Sequence, residues 1–276
     1  MIKAKNHFGN ILPVWQPIGY STYQITNAIS KLFGVKATHT GVLDPLAEGV
    51  IIVLLGPERL NKSLFSDLKK GYEFDIVFGI STDSYDGMGL VSEFSDNPDL
   101  REDLLKEIVE TFPRYYTQRV PLYSARKVNS KKLFLYPKEN LEIPELPEKS
   151  GEIYKLEYKG SDYPELYALI EETISKINLV KKGEYRQKTI ISKWQEFKSS
   201  HQNEPLQRAK FYAEISRGLY VRSLSQDIAK KAGTIGFVSR LVRTRNGDYT
   251  KEKALHLEDI FGKEFSHEVL WSKFSM

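Results

Sequence analysis

Hydrophobic and polar residues recur with two periods along the chain, and each period predicts one kind of element. Near the start, apolar residues are spaced three or four positions apart, as on one face of a helix: Ile25, Ala28, Ile29, Leu32 and Phe33. Ser21 and Gln24 form a capping-box pattern before this stretch, and Gly34 is a stop signal after it. The sequence therefore predicts a helix that begins at Ser21 and ends at Gly34.

Strands are predicted where apolar residues alternate or follow one another without interruption. The run from Val50 to Leu55 is apolar throughout, which is typical of a buried strand. Two other segments alternate as a strand with one buried face does: Tyr72, Phe74, Ile76, Phe78 and Ile80, and then Ala209, Phe211, Ala213 and Ile215. Further helices are predicted from Asn97-Pro98 onward, over 164–180 and over the segment that ends near Gly233.

Composition narrows the class of protein. With 276 residues, the chain can bury one large core or two small ones. It has no cysteine, which excludes disulfides, thiolate chemistry and Cys-ligated zinc. Uninterrupted apolar runs are no longer than a strand, and the first residues do not resemble a signal peptide. We therefore expect a cytoplasmic protein that does not cross a membrane.

Charge is segregated along the chain, although the net charge is only +4. Residues 114–138 carry seven Lys or Arg and no acid, and residues 181–253 carry seventeen basic against seven acidic residues. Residues 83–110 reverse the balance, with nine acids against two bases. Such segregation favours a basic surface that neutralises phosphates, although a solvated mosaic of charges without a partner would show the same counts.

The segment from His39 to Gly49 is the strongest candidate for chemistry. It places one carboxylate, Asp44, before a proline and between glycines, just ahead of the predicted buried strand. An Asp-Pro pair taken alone indicates a turn. The neighbouring His39, and glycines that allow a ligand to approach the backbone, favour a functional loop instead.

This segment resembles the G-x-L-D-P-x-A-x-G motif of the bacterial tRNA pseudouridine synthases of the TruB type, in which the aspartate is catalytic. The resemblance implies an α+β fold, with a mixed, largely antiparallel central sheet and flanking helices. Gln16 stands where this family has a lysine. Tyr72 matches a family tyrosine that lies against the target base and takes part in proton transfer. Here Gly71 precedes it, so the nearest basic residue is Lys70.

Three later segments follow the family's order. The stretch from Arg119 to Leu133 resembles a P-x-Y-S-A-x-K motif that borders an RNA-gripping loop, with Asn129-Ser130 at its turn. The stretch from Gly218 to Leu224 resembles a G-x-Y-[IV]-R motif whose arginine pairs with the catalytic aspartate; the alternative for Arg222 is a phosphate clamp or a surface ion pair. The stretch from Val238 to Gly247 resembles an L-x-R-x-x-x-G strand, and its arginines would extend the basic surface: Arg240, Arg243 and Arg245.

The resemblance implies a site with two groups of residues. The catalytic residues are expected to be Asp44, Tyr72 and Arg222. Substrate binding is expected from a larger set: His39, Gly41, Leu43, Tyr123, Lys127, Lys131, Lys132, Tyr220 and Arg243. Asp44 would attack C1′ or C6 of the uridine, or remove the C2′ proton, and the sequence leaves this choice open.

The expected reaction is isomerisation of uridine 55 in the T loop of tRNA, after the nucleotide is flipped out of its stack. His39 would fill the vacated place. We expect no cofactor, no metal and a monomeric protein whose partner is the tRNA T-loop stem. Three alternatives stay open: another RNA target, an inactive RNA-binding or RNA-folding module, and a hydrolase in which Asp44 and Asp86 hold a metal. For the segment around Asp86, the nearby glycines and the Asp-Gly turn favour a structural loop over a metal site.

For domain organisation, we expect one catalytic domain over residues 1–276. The resemblance weakens between about 137 and 205, which we interpret as an insertion or an elaborated connection. The chain after Leu257 is too short for the complete C-terminal PUA domain that many members carry.

Overall fold

The computed structural model describes residues 9–95, 99–181, 183 and 185–262. Its strands are β1 (Ile11–Gln16), β2 (Ala37–His39), β3 (Ala47–Leu55), β4 (Lys70–Phe78), β5 (Ile80–Thr82), β6 (Val91–Phe94), β7 (Tyr115–Arg119), β8 (Lys127–Val128), β9 (Lys131–Lys132), β10 (Glu148–Asp162), β11 (Arg208–Ile215), β12 (Gly236–Asn246) and β13 (Tyr249–Thr250).

The α-helices are α1 (Thr22–Phe33), α2 (Lys62–Ser66), α3 (Glu102–Glu110), α4 (Leu135–Lys138), α5 (Leu166–Leu179), α6 (Gln187–Ser200), α7 (Val221–Lys231) and α8 (Leu257–Phe261). Two 3-10 helices, Gly56–Asn61 and Lys251–Lys253, complete the set in the described residues. None of these helices is long and apolar enough to cross a membrane.

The chain forms two compact units, and two strands run from one unit into the other. The first unit comprises residues 1–71, 179–181 and 242–276, and the second comprises 72–178 and 182–241. β4 and β12 therefore each contribute residues to both units.

In the first unit, β3 is the central strand. It pairs antiparallel with β1 and β2 and neighbours the last residues of β12, which pair antiparallel with β13. Every residue from Val50 to Leu55 is completely buried. Burial of each such Val, Ile or Leu side chain contributes about 1.5–3 kcal/mol, so this strand anchors whatever precedes it.

In the second unit, the hydrogen-bonded order is β12, β4, β11, β10 and β7. β10 pairs antiparallel with both β11 and β7. Phe74 and Phe211 stack in the core with ring centroids 5.5 Å apart, and Trp194 of α6 packs against Phe237 at 5.4 Å. The segment interpreted as an insertion or elaborated connection thus contributes β10, α5 and α6 to this unit.

The α+β class and the largely antiparallel pairing are confirmed. Parallel pairing is seen in two isolated bridges, which join Val14 to Leu255 and Asp86 to Val238. α1 begins at the capping box of Ser21 and Gln24 and ends at Gly34 in the left-handed conformation, as its pattern predicts.

The predicted start of a helix at Asn97-Pro98 is wrong. Those two residues lie outside the described part of the chain, but Asp99 and Leu100 are not helical and α3 begins only at Glu102. The backbone N–H and C=O of Leu100 are hydrogen-bonded to the side chain of Gln207, at 2.9 Å each. Gln207 lies immediately before β11. Because its side chain already binds the carbonyl of Leu100, that carbonyl is not available for a hydrogen bond within a helix.

Candidate active site

Asp44 lies half-buried in the loop between β2 and β3, in the first unit. The loop is anchored at Asp44 and at the following Pro45 by backbone hydrogen bonds. Ala47 N–H donates to the carbonyl of Asp44 (3.0 Å), and Gly19 N–H donates to the carbonyl of Pro45 (3.1 Å). The predicted arrangement, a carboxylate on a loop fixed to the core, is therefore present.

A buried relay of side chains holds the same loop from α1. Gln16 donates through Nε2 to the carbonyl of Tyr20 (2.9 Å) and accepts at Oε1 from the Thr22 hydroxyl (2.7 Å). Thr22 in turn accepts from the backbone N–H of Leu43 (3.1 Å), one residue before Asp44. Gln16 and Thr22 are both 0% exposed. Gln16, which stands in place of a lysine according to the family resemblance, is therefore part of a neutral network that positions the Asp44 loop.

Arg243 holds the other end of the loop. Its Nε donates to the carbonyl of Val50 (2.7 Å), and its Nη2 lies 3.4 Å from the carbonyl of Gly41. The residue is 1% exposed, so the prediction that Arg243 extends the basic surface is wrong. Its close approach depends on Gly49, where a Cβ would lie 2.3 Å from the carbonyl oxygen of Arg243.

His39 ends β2 beside this loop, and its Nδ1 is buried without a hydrogen-bond partner among the described residues. Burial, together with the positive charges of Lys62 and Arg243, lowers the pKa of His39 from 6.5 to about 4. The imidazole is therefore neutral at physiological pH. A neutral ring suits a role in stacking better than a role in phosphate contact.

Two residues at the start of β4 differ in their surroundings. Lys70, the basic residue nearest to Tyr72, is buried in the first unit, and its ammonium donates to the carbonyls of Ser66 (3.0 Å) and Leu68 (2.6 Å). Tyr72 opens the second unit's part of the strand and is 9% exposed. Lys70 thus contributes to the packing of its own turn.

Arg222 lies on the first turn of α7 in the second unit, with a side chain that is only 3% exposed. Its Nη1 donates to the carbonyl of Ser84 (2.8 Å), and its Nη2 donates to the carbonyl of Tyr123 (3.0 Å). The carboxylate that lies beside it in this unit is Asp86, whose Oδ2 is 3.7 Å from Arg222 Nε. Arg222 is therefore neither a surface ion pair nor an exposed phosphate clamp.

The loop 82–89 is built around its own carboxylates. Asp86 Oδ1 accepts from the Ser84 hydroxyl (2.6 Å) and from Met88 N–H (2.9 Å), while Asp83 Oδ1 accepts from Leu90 N–H (2.8 Å). These bonds are typical of a structural loop. In the described ranges of the chain, no three His, Asp or Glu side chains come close enough together to hold a metal ion.

Tyr123 accepts a hydrogen bond from Arg222 through its carbonyl, and Tyr220 lies two residues before Arg222 in the chain. The Tyr123 hydroxyl donates to Asp83 Oδ2 (2.9 Å); burial and the adjacent Asp83 carboxylate raise the pKa of Tyr123 to about 12. Tyr220 is the residue before α7, and its backbone exchanges two hydrogen bonds with the side chain of Gln118. Gln118 was not a sequence candidate, since a glutamine on a strand has no distinctive signal.

The predicted RNA-gripping lysines lie on a small hairpin. Lys127 of β8 and Lys132 of β9 are opposite one another and exposed. Asn129 and Ser130 form its turn in the left-handed conformation, with φ of 50° and 66°. The Lys131 ammonium is already paired with the carboxylate of Glu139. Lys127 and Lys132 are therefore both exposed to solvent, and each lies opposite the positive charge of the other.

Sequence reasoning missed Arg186, which precedes α6 in the second unit. Its guanidinium binds the Asp83 carboxylate with both terminal nitrogens, at 3.0 and 3.3 Å, and lies 4.5 Å from the centroid of the Tyr123 ring. The available signal was weak: an arginine occupies a position where a capping Ser, Thr, Asp or Asn is usual.

The structure therefore assembles the sequence candidates within each unit. In the first unit, Gly41 and Leu43 belong to the Asp44 loop, and His39 and Arg243 lie beside it. Tyr123 and Tyr220 accompany Arg222 in the second unit. Each unit brings together, from separate parts of the sequence, side chains suited to acid-base chemistry or to fixing a charge.

Solved structures share this fold. A chain in a crystal structure of a Cbf5-Nop10-Gar1 complex aligns with a TM-score of 0.57 over 97% of this chain, at 18% sequence identity. A chain in a structure of an H/ACA RNP bound to a substrate RNA containing 2′-deoxyuridine aligns with a TM-score of 0.55, at 16% identity. This chain spans 56% of the length of each matched chain.

Sequence comparisons then give the family. The profile described as "TruB family pseudouridylate synthase (N terminal domain)" matches residues 30–185, more than half of the chain. The tRNA pseudouridine synthase B of Caldanaerobacter subterraneus subsp. tengcongensis is 31% identical over 260 residues, which cover 94% of this chain and 75% of that protein. The enzyme of the same name from Aquifex aeolicus is 30% identical over 254 residues, which cover 92% and 74%. The chain belongs to the TruB family of pseudouridine synthases, isomerases that act on RNA.

Proposed function

We propose that this chain isomerises uridine to pseudouridine in tRNA, and that its target is uridine 55 of the T loop. The relatives that it matches along most of its length are named tRNA pseudouridine synthase B. The observation that carries the proposal is the half-buried Asp44 on a loop fixed by backbone bonds and by the Thr22 relay. A carboxylate held in this way is preorganised for chemistry on a bound nucleoside.

The reaction needs few groups. The bond between ribose C1′ and uracil N1 breaks, the uracil turns, and a new bond forms between C1′ and C5. The C5 proton is lost and N1 gains a proton, so atoms and electrons balance without a redox partner or a group donor. Asp44 supplies the required ionised carboxylate, and three roles stay open for it: attack at C1′, attack at C6, or removal of the C2′ proton.

The other catalytic roles follow the family resemblance. Tyr72 would stack on the uracil and assist removal of the C5 proton. Arg222 would supply a buried positive charge that pairs with the catalytic carboxylate. The three hydrogen-bonding and ionic contacts of its guanidinium to Ser84, Tyr123 and Asp86 support a fixed position for this charge.

Binding roles divide between base and phosphate. The neutral His39 would fill the place that the flipped nucleotide leaves, with Gly41, Leu43 and Tyr220 close to the substrate and Arg243 supporting them through the loop backbone. The exposed Lys127 and Lys132, with Lys131, would contact phosphates of the T-loop stem. Tyr123 would contribute to the pocket wall.

The test is tritium release from a T-loop stem transcript labelled at C5 of uridine, since pseudouridine formation expels that hydrogen. The wild-type protein should release one tritium per transcript, and a transcript with cytidine at position 55 should release none. Asp44→Ala and Asp44→Asn should both abolish release while RNA binding, measured by filter retention, stays within threefold of wild type.

Turnover by Asp44→Ala would remove Asp44 from the catalytic role. Release from the cytidine-55 transcript, labelled at its other uridines, would keep the reaction and move the target. Binding without release by the wild-type protein, on this transcript and on total RNA, would favour the RNA-binding module instead.

A further inference from the structure

We propose that Arg186 is a positioning residue for Arg222: it locks together the two backbone segments whose carbonyls hold the Arg222 guanidinium. Its effect on turnover rests on the proposed function, but the positioning itself does not. Arg186 lies just before α6, in the region interpreted from sequence as an insertion or elaborated connection.

The geometry links the two arginines through their neighbours. Arg222 donates to the carbonyl of Ser84 and to the carbonyl of Tyr123. Arg186 binds Asp83, the residue next to Ser84, and lies over the ring of Tyr123 itself. The Tyr123 hydroxyl joins the two partners of Arg186 directly, because it donates to Asp83 Oδ2 (2.9 Å). These two carbonyls, which accept hydrogen bonds from Arg222, therefore belong to segments that Arg186 clamps to each other.

The position of Arg186 is otherwise unfavourable. It is the N-cap of α6, its side chain makes no capping bond, and its φ is +61°, in the left-handed region that non-glycine residues rarely adopt. A positive charge at the start of a helix also opposes the helix dipole. Each feature costs free energy, so compensation must come from elsewhere. The contacts with Asp83 and Tyr123 are the compensation that the structure offers.

A second contact shows that α6 supports the same loop. The indole N–H of Trp194, which is 0% exposed, donates to the carbonyl of Gly87 (3.2 Å). The loop 82–89 is thus held by α6 at Gly87 and by Arg186 at Asp83, on either side of Ser84 and Asp86. Loss of the Arg186 clamp would loosen the end of the loop that carries the Ser84 carbonyl, because the Asp83 carboxylate would keep only its bonds from Tyr123 and Leu90 among the described residues.

The matched control is Arg208. It also binds an aspartate through two nitrogens, with Arg208 Nε and Nη2 at 2.8 and 2.9 Å from the two oxygens of Asp162, in the same unit and with neither partner in loop 82–89. Arg186→Ala and Arg208→Ala therefore both remove a bidentate ion pair. Arg186→Gly removes the same contacts without the strain of a left-handed alanine, and serves if Arg186→Ala does not fold.

The single-turnover rate, with enzyme in saturating excess over RNA, is the first measurement. We expect Arg186→Ala and Arg186→Gly to slow single-turnover pseudouridine formation at least tenfold with RNA affinity within twofold of wild type, and Arg208→Ala to leave the rate within twofold. Arg186→Lys should not restore the rate, because an ammonium cannot supply the paired bonds and the stacked plane. A normal rate with weakened RNA binding that lysine restores would make Arg186 a phosphate contact and overturn the proposal.

The side-chain NMR signal of Arg222 Nε–H separates this proposal from the proposed function. We expect a slowly exchanging signal in the wild-type protein, assigned by its loss in Arg222→Lys, and faster exchange in Arg186→Ala but not in Arg208→Ala. This outcome in a protein that makes no pseudouridine would reject the function and keep the positioning role. An unchanged Arg222 signal in Arg186→Ala would reject the positioning role whatever the activity.

Discussion

The Nε of Arg222 lies 3.7 Å from Oδ2 of Asp86, and the two side chains are 3% and 9% exposed. A cation and an anion so far from solvent depend on each other, because removal of either leaves a charge that water cannot reach. Asp86 lies in a loop for which the sequence favours a structural turn. Because Asp86 is buried beside Arg222, this turn also holds the Arg222 guanidinium in place.

This pair should show strong coupling. We expect Asp86→Asn to lower the free energy of unfolding by about 3 kcal/mol, since it removes a buried negative charge that lies 3.7 Å from the Arg222 guanidinium. The double variant Asp86→Asn/Arg222→Met should be more stable than Asp86→Asn alone. Urea denaturation of the four proteins in this cycle measures the effect, and strictly additive changes would mean that the two side chains do not interact.

Substitutions at two threonines of α1 should distinguish an effect on the position of the Asp44 loop from an effect on the stability of the helix. Thr22 and Thr26 are both buried, but only Thr22 accepts a hydrogen bond from Leu43 N–H; the hydroxyl of Thr26 donates to the carbonyl of Thr22 (2.7 Å). We expect Thr22→Val to lower turnover about tenfold at saturating RNA, since a displacement of about 1 Å is costly in catalysis. Thr26→Val should lower the unfolding free energy by about 1 kcal/mol and leave turnover unchanged. Equal turnover in both variants would argue against the relay.

The free energy of unfolding should decrease as the pH is lowered, because His39 takes up a proton more readily in the unfolded chain. Its pKa is about 4 in the folded protein and about 6.5 when unfolded, so between these values the unfolded chain binds more protons. The contribution of His39 is complete above pH 6.5 and is lost as the pH falls toward 4, at up to about 1.4 kcal/mol per pH unit. Denaturation of wild type and His39→Gln at pH 7 and 4.5 should show a smaller loss in the variant. An equal loss in the two proteins would contradict the burial of a neutral imidazole.

The lysine hairpin predicts unequal contributions to RNA affinity. Lys127→Ala and Lys132→Ala should each reduce the slope of log K against log salt by about 0.7–0.9, the value for one lost phosphate contact. Lys131→Ala should have a smaller effect, because Glu139 already neutralises that ammonium, and Glu139→Gln should strengthen binding. Lys106→Ala on α3, whose lysine is paired with Glu102, is the control. Equal slopes in all these proteins would place the hairpin away from RNA.

Local patterns were reliable where the physics is local. The bounds of α1 follow from Ser21, Gln24 and Gly34, which act on backbone groups within one helical turn. The turn at Asn129-Ser130 likewise follows from residues that tolerate positive φ. The motif around Asp44 indicated the family and a loop that precedes a buried strand. These features need no knowledge of which distant segments meet.

The sequence by itself thus determined the main elements, the family and the identity of the candidate residues. Only the tertiary structure decided what several of those side chains touch. Arg243 looked like a surface cation, yet it is buried against Val50, which is 193 positions away in the chain, and Arg222 meets Ser84 across 138 positions. The physical reason is that an arginine has the same local propensity at the surface and in the core. Its environment depends on carbonyls and carboxylates that folding brings from elsewhere, as Asp83 and Tyr123 are brought to Arg186.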